Sequence, residues 1–470
     1  MLVIILSFIT YLKPGLSYFA FGSIVALVLA FSFWKLEYGL LLVLGELFVG
    51  SFGYLFYLSL DGQKLSLRLV IFAALMLAFA LKFAWQLIRS GRQSAYLICL
   101  RRLPAAKYWL FIAFFLVVAL SQGYLKGQTA YLFPDFNAWL YLLLVLPAAC
   151  VYSSRGQTEK KRLTSLFLAA SVIISLETLA LLFIFTRDLL ISPLVYDWLR
   201  DNLIGEMTNT ASGWPRIFLQ AQVFPLLAFI ILMFRNIWAK LGWRNLLLAG
   251  IFLSSALASF SRSFWAGLLA AAALALALAW ARQGFRRFFR LGLWSLSALV
   301  SGFVIIYAVS VFPYPQPGSF KADFLDRVSN GQEAAISSRW SQLPPLSQAI
   351  LKNPLLGQGF GATITYVSSD PRVLANHPDG LYTTYAFEWG YLDMALEFGL
   401  LGLSAFLILI FQLLRSGWQA GKDIQEWLPV ALAGGLVFLA VTHIFSPYLN
   451  HPLGLGYLIL ASCLIPLNRV

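Results

Sequence analysis

Apolar runs of membrane-spanning length follow one another along almost the whole chain, separated by short polar turns. A helix needs about 17–25 predominantly apolar residues to cross hydrocarbon. The pattern predicts spans near 15–34, 38–58, 66–87, 106–123, 136–152, 162–186, 216–234, 245–260, 263–280, 290–311, 390–414, 428–447 and 452–468. Residues 1–12 add a half-span broken at Pro14, giving an expected total of about 12 to 14 helices. The chain divides into about ten spans over 1–311, an outer loop module over 312–389 and C-terminal spans over 390–470. Within the module, the turn-forming "FPYPQPGS" precedes an expected helix pair around "AAISSRWSQLPPLSQAILKNP", stopped by Pro354. The predicted fold class is an all-α polytopic membrane bundle with a helical loop module on one side.

Composition supports this class. Of 470 residues, 60% are hydrophobic and 11% charged, far less charge than a soluble domain carries. The net charge of +14 is not a nucleic-acid signal, because its distribution is that of membrane orientation. Segments 88–107, 153–162, 235–244, 281–290 and 415–426 hold 18 Lys/Arg against 3 Asp/Glu in 62 residues. The alternate segments 59–65, 124–135, 187–215, 312–389 and 446–451 hold 9 basic and 12 acidic residues in 132. The positive-inside rule places the first set in the cytoplasm and the second outside. Met1–Tyr11 lacks a positive start and a small-residue cleavage site, so it does not read as a cleaved leader. Cys99, Cys150 and Cys463 are scattered and form neither a metal spacing nor a disulfide framework. His377, His443 and His451 are expected to be structural, and neither a metal nor another cofactor is expected. The halves show no internal repeat, which weighs against transporter folds built from duplicated units.

Two arginines stand where orientation statistics disfavour them. Asn245–Phe260 and Phe264–Ala281 are almost wholly apolar, and only Ser261, Arg262 and Ser263 separate them. Arg262 is therefore expected at the outer turn of a tight helical hairpin. An arginine at the bilayer centre costs about 2.5–3.5 kcal/mol on insertion scales, and less near the interface. Snorkelling to headgroups is one reading of it. Arg216, in "GWPRIFLQAQVFPLLAF", opens another expected span after an outer loop. Two guanidiniums at one depth can make a fork for an anion, because planar donors match phosphate oxygens bidentately. A lipid headgroup or a lipid-linked diphosphate meets that description. Arg339 in the outer module is a third candidate, with a solvated helix face as its plain alternative.

Glu388 precedes the span in "YAFEWGYLDMALEFGLLG". A carboxylate entering a partly dry outer cavity can serve as general base; complementing the helix dipole is the simpler role. Tyr391 and Asp393 are weaker cavity candidates, and Asp393 and Glu397 could instead hydrogen-bond within the bundle. "NPLLGQGFGA" follows a helix and not a strand, so its glycines do not make a nucleotide loop. It is expected to turn the module back over the bundle, with substrate seating by Gly359 as the second reading. Glu46 and Glu177 lie inside apolar spans, where acids are functional candidates or hydrogen-bonded bundle carboxyls.

Taken together these segments resemble the O-antigen ligase and O-antigen polymerase superfamily of bacterial membrane glycosyltransferases. The resemblance covers about residues 200–415 and rests on "GWPRIFLQAQVFPLLAF", "SFSRSFWAGLLAA", "RWSQLPPLSQAILKNPLLGQGFG" and "EWGYLDMALEFGLLG". It implies a largely helical glycosyltransferase of the C type in the bacterial cytoplasmic membrane, with its site on the extracytoplasmic side. It implies an undecaprenyl diphosphate-linked oligosaccharide donor, a glycan or lipid-glycan acceptor, and inversion at the anomeric carbon. Arg216 and Arg262 would hold the diphosphate, so no metal is implied. The ligase signature opens with a histidine followed by Asn, Ser or Gln; here Glu388 and Trp389 stand in those places, while Gly399 and Gly402 fit the rest. That departure tilts the expectation toward a repeat-unit polymerase or another surface-polysaccharide transferase. A transporter or flippase of the same lipid is the alternative, and a scaffold is a third possibility that the outer arginines disfavour.

Overall fold

The computed structural model describes residues 1–60, 63–101, 103, 105–152, 157–210, 212–313, 323, 334–420 and 427–466. Nine helices among the described residues are long and apolar enough to cross a membrane. The protein is an all-α, multi-pass membrane protein. The helix Val223–Trp238 runs through its middle, with nearly every side chain buried. A helix apolar on all sides belongs in a protein core or in a membrane, and here other helices surround it. It packs on Gln157–Thr186, Trp243–Ser259, Arg262–Gln283 and Trp427–Thr442.

Three places depart from the hydropathy pattern. The run 38–58 contains a helix over Leu36–Val49 only. Gly50, Ser51 (φ 50°) and Gly53 (φ 91°) then turn the chain into a hairpin, Tyr57–Leu60 against Gln63–Ser66. The run 216–234 does not open as a helix: Pro215–Leu219 is a strand, paired antiparallel with Gly205–Asn209. A hydropathy window cannot tell such a strand from a first helical turn. The third is the helix Gly390–Ala420, which breaks at Phe398 and Gly399. The expected helix pair of residues 312–389 lies at Ala334–Ser341 and Leu343–Lys352; of "FPYPQPGS", all but the first two residues lie outside the described residues.

The break at Gly399 is filled by the loop that carries "NPLLGQGFG". Gln358 N donates to Leu396 O (2.6 Å) and Gly359 N to Glu397 O (2.9 Å). In return Leu400 N donates to Pro354 O (2.9 Å) and Leu401 N to Leu355 O (3.2 Å). The loop thus satisfies backbone groups that an interrupted membrane helix would otherwise leave without partners. Gly399 has φ 71° and ψ 179°, a region open essentially to glycine alone. A Cβ there would stand 2.2 Å from Leu355 O. The other end of the loop threads against helix Ala106–Leu125, where Phe360 N donates to Ala119 O (3.3 Å). Gly361 N donates to Asp135 Oδ2 (2.7 Å), and Lys126 Nζ, its amine lowered by burial, donates to Gln358 O (2.9 Å). The glycine segment therefore runs into the bundle as well as over it.

Glu46 is not a lone acid. Arg68 donates to it twice, Nε to Oε2 at 2.9 Å and Nη2 to Oε1 at 3.1 Å, and a third time to Ser51 O at 2.6 Å. Glu177 differs: it is buried, and neither carboxyl oxygen meets a hydrogen-bond partner among the described residues.

Candidate functional site

The turn between helices Trp243–Ser259 and Arg262–Gln283 spans only two residues. Phe260 is buried and left-handed (φ 48°), and Ser261 is the last residue before the second helix, so Arg262 is that helix's first residue. Ser259 Oγ accepts from Ser261 N (3.2 Å), which tightens the corner. No loop carries the arginine away from the bundle.

Arg216 reaches this same corner from the strand Pro215–Leu219. Strand alternation buries Pro215, Ile217 and Leu219 and turns Arg216 and Phe218 to the other face. Its guanidinium lies 5.4 Å from the Phe218 ring, and its Nε donates to Ser259 O at 2.7 Å. A cation at the carbonyl end of a helix is favoured by the helix dipole. The tertiary fold thus brings Arg216 to the end of the helix that precedes Arg262, which lies 46 positions further along the chain. The hairpin tip is in turn held by Asp323, which accepts from Thr210 Oγ1 (2.7 Å) and Ser212 N (3.1 Å).

The segment 443–451 links this corner to Glu388. On one side Ser263 Oγ and Ser446 Oγ share a hydrogen bond at 2.9 Å, and Phe264 packs on Tyr448 (5.7 Å). On the other, Phe445 packs on Trp389 (5.5 Å), the residue after Glu388. Tyr448 Oη donates to Gln220 O (3.3 Å), just past the Arg216 strand. His443 is fully buried; Nδ1 accepts from Leu449 N (3.1 Å), closing the segment on itself. His451 Nδ1 accepts from Leu453 N (3.3 Å) and caps the last helix, and burial lowers this imidazole to about 3.

Glu388 lies just outside its helix, which begins at Gly390, and forms an ion pair with Arg339. Arg339 O also accepts from Trp389 Nε1 (2.9 Å). Arg339 is thus paired with the carboxylate, while Arg216 lies at the hairpin corner where Arg262 begins its helix. Tyr391 gives its hydroxyl to Ala440 O (2.8 Å) and meets His443 edge-on at 4.7 Å, so it braces two helices. Asp393 is buried, with Oδ2 accepting from Asn450 Nδ2 (2.8 Å), which is the bundle hydrogen-bonding role. Gly359 sits in the helix break, where a Cβ would stand 2.4 Å from Gly123 N.

Sequence reading did not find Arg68, Asp135, Asp323 or Ser446. Opposite charges in consecutive apolar runs could have flagged Glu46 and Arg68. Nothing local marks the other three, since each acts on a residue more than a hundred positions away.

The bundle of apolar helices defines an integral, multi-pass membrane protein, and Arg216 meets it at the corner between two of those helices. Residues 246–407, about a third of the chain, match the family model described as O-antigen ligase, and this segment is similar to that family. The match takes in Arg262, Arg339, Gly359, Glu388, Tyr391 and Asp393, and Arg216 lies before it. No curated protein matches the chain.

Proposed function

We propose that the protein is a metal-independent, inverting glycosyltransferase of the bacterial cytoplasmic membrane. It moves a glycan from undecaprenyl diphosphate to an acceptor hydroxyl on the extracytoplasmic side. The observation that carries the proposal is the Arg216 hydrogen bond to Ser259 O, which fixes one guanidinium at the corner where Arg262 begins the next helix.

In the proposed step the acceptor oxygen attacks the anomeric carbon and forms the new glycosidic bond. The bond from that carbon to the diphosphate breaks, and its electron pair goes to the diphosphate oxygen. Arg216 and Arg262 stabilise the charge that develops there, which makes a divalent cation unnecessary. Glu388, oriented by Arg339, takes the proton from the acceptor hydroxyl. A repeat-unit polymerase suits this chain better than a ligase, because Glu388 and Trp389 stand where the ligase signature has its histidine and amide or serine.

The test is transfer by purified protein in liposomes supplied with undecaprenyl diphosphate-linked oligosaccharide. Arg216→Ala and Arg262→Ala are expected to lower transfer by at least about 100-fold with expression intact. Glu388→Gln is expected to lower kcat more than donor affinity. Normal rates in both arginine variants refute the diphosphate site. Longer lipid-linked glycan identifies a polymerase, and glycan on a second carrier identifies a ligase. Lipid movement without a new glycosidic bond identifies a flippase.

A further inference from the structure

Three aromatic rings run from the surface of the outer module toward the arginine corner. Trp340 is 58% exposed, and its ring meets Trp389 edge-on at 5.4 Å. Trp389 is only 9% exposed and packs on Phe445 at 5.5 Å. The next residue, Ser446, is hydrogen-bonded to Ser263 beside Arg262. The Arg339–Glu388 ion pair flanks this row, because each partner immediately precedes one of the two indoles.

An exposed tryptophan on a membrane protein is commonly an interfacial anchor. The surroundings of Trp340 differ from those of an anchor. Its helix ends in Ser337, Ser338, Arg339, Trp340 and Ser341. Ser338 Oγ bonds Ser368 Oγ (3.2 Å), and Ser341 Oγ donates to Val367 O (2.7 Å). The flanking side chains are thus polar and bonded within the outer module. A broad apolar face set among hydrogen-bonding groups and an ion pair suits a ligand with one apolar face and a polar rim. A pyranose ring is such a ligand: its axial C–H bonds meet the electron-rich aromatic face while its hydroxyls reach polar neighbours.

We propose that Trp340 is a sugar-stacking residue that holds a pyranose of the glycan remote from the diphosphate. Trp389, buried behind it and packed on Phe445, backs the Trp340 ring. This rests on the glycosyltransferase reading above, and it adds a glycan subsite in the outer module.

The experiment compares Trp340→Ala, Trp340→Tyr and Trp340→Leu with the natural protein, each purified and checked for an unchanged thermal midpoint. Donor is supplied both as the full lipid-linked oligosaccharide and as undecaprenyl diphosphate bearing one sugar. Donor and acceptor are varied separately. For Trp340→Ala, KM for one glycan is expected to rise about two- to tenfold with kcat within twofold. Trp340→Tyr is expected to restore it and Trp340→Leu not to. If the ring binds donor glycan, the defect appears with the oligosaccharide donor and disappears with the one-sugar donor; if it binds acceptor, it follows acceptor concentration with either donor. Recovery by leucine would instead identify a membrane anchor and overturn the proposal, as would unchanged KM values for both substrates. Absence of any transfer by the natural protein would defeat the parent reading, a result separate from any difference among the variants.

Discussion

Replacing Gly399 by alanine tests whether the glycine loop and the broken helix form one unit. The residue sits at φ 71° and ψ 179°, and forcing a side chain into that region costs about 1–3 kcal/mol. The new Cβ would stand 2.2 Å from Leu355 O, 2.4 Å from Leu355 C and 2.6 Å from Gly357 N, all of them backbone atoms that cannot swing aside. The loop must leave, and four backbone hydrogen bonds across the break are lost with it. At about 0.5–1.5 kcal/mol each, these bring the expected loss to roughly 3–9 kcal/mol. That is comparable with the whole stability of a typical domain, about 5–15 kcal/mol. The assay is the thermal midpoint in detergent together with transfer activity. Gly292→Ala is the control, because a Cβ there meets only Leu276 Cδ2 at 3.8 Å inside a regular helix; it is expected to leave the midpoint unchanged or slightly raised. Equal midpoints and equal transfer for Gly399→Ala and Gly292→Ala would refute the coupling of loop and break.

Two further outcomes follow from the buried charges. Arg68→Ala leaves Glu46 buried without its bidentate partner and is expected to cost about 3–5 kcal/mol, whereas joint replacement of both by leucine recovers most of the loss; chemical denaturation of the three proteins checks this. His451 is held down to about 3 by burial, against about 6.5 in an unfolded chain. Between those values the unfolded state binds the extra proton, so stability is full above about pH 6.5 and falls as pH drops toward 3, by at most about 1.4 kcal/mol per unit. His451→Asn keeps a capping side chain and is expected to flatten the slope of thermal midpoint against pH; identical slopes would remove His451 from the acid response.

The class of the protein was legible at once, because membrane spans are a property of consecutive residues and need no knowledge of neighbours. The tight hairpin at Arg262 was equally local: two apolar runs with three residues between them leave no room for a loop. The family segments were recognisable from "SFSRSFWAGLLAA" and "NPLLGQGFG" as strings. Where hydropathy went astray, it did so at Gly50–Gly53, a glycine turn that leads into a hairpin, and at Pro215–Leu219, a short segment whose apolar content is the same as strand or as helix.

Pairings were not legible, and they define the site. No feature of the sequence near Arg216 says that its Nε meets Ser259 O, nor that Arg339 is spent on Glu388. The same is true of the loop that fills the break at Gly399: its glycines are visible, but the backbone they approach belongs to helices at 119–123 and 396–401. The sequence by itself determined which segments enter the membrane and which residues carry unusual charge, since transfer from water to hydrocarbon acts residue by residue. Only the tertiary structure decided which of those charges face one another, because hydrogen bonds and ion pairs depend on distances of a few ångströms between segments that the chain order leaves far apart.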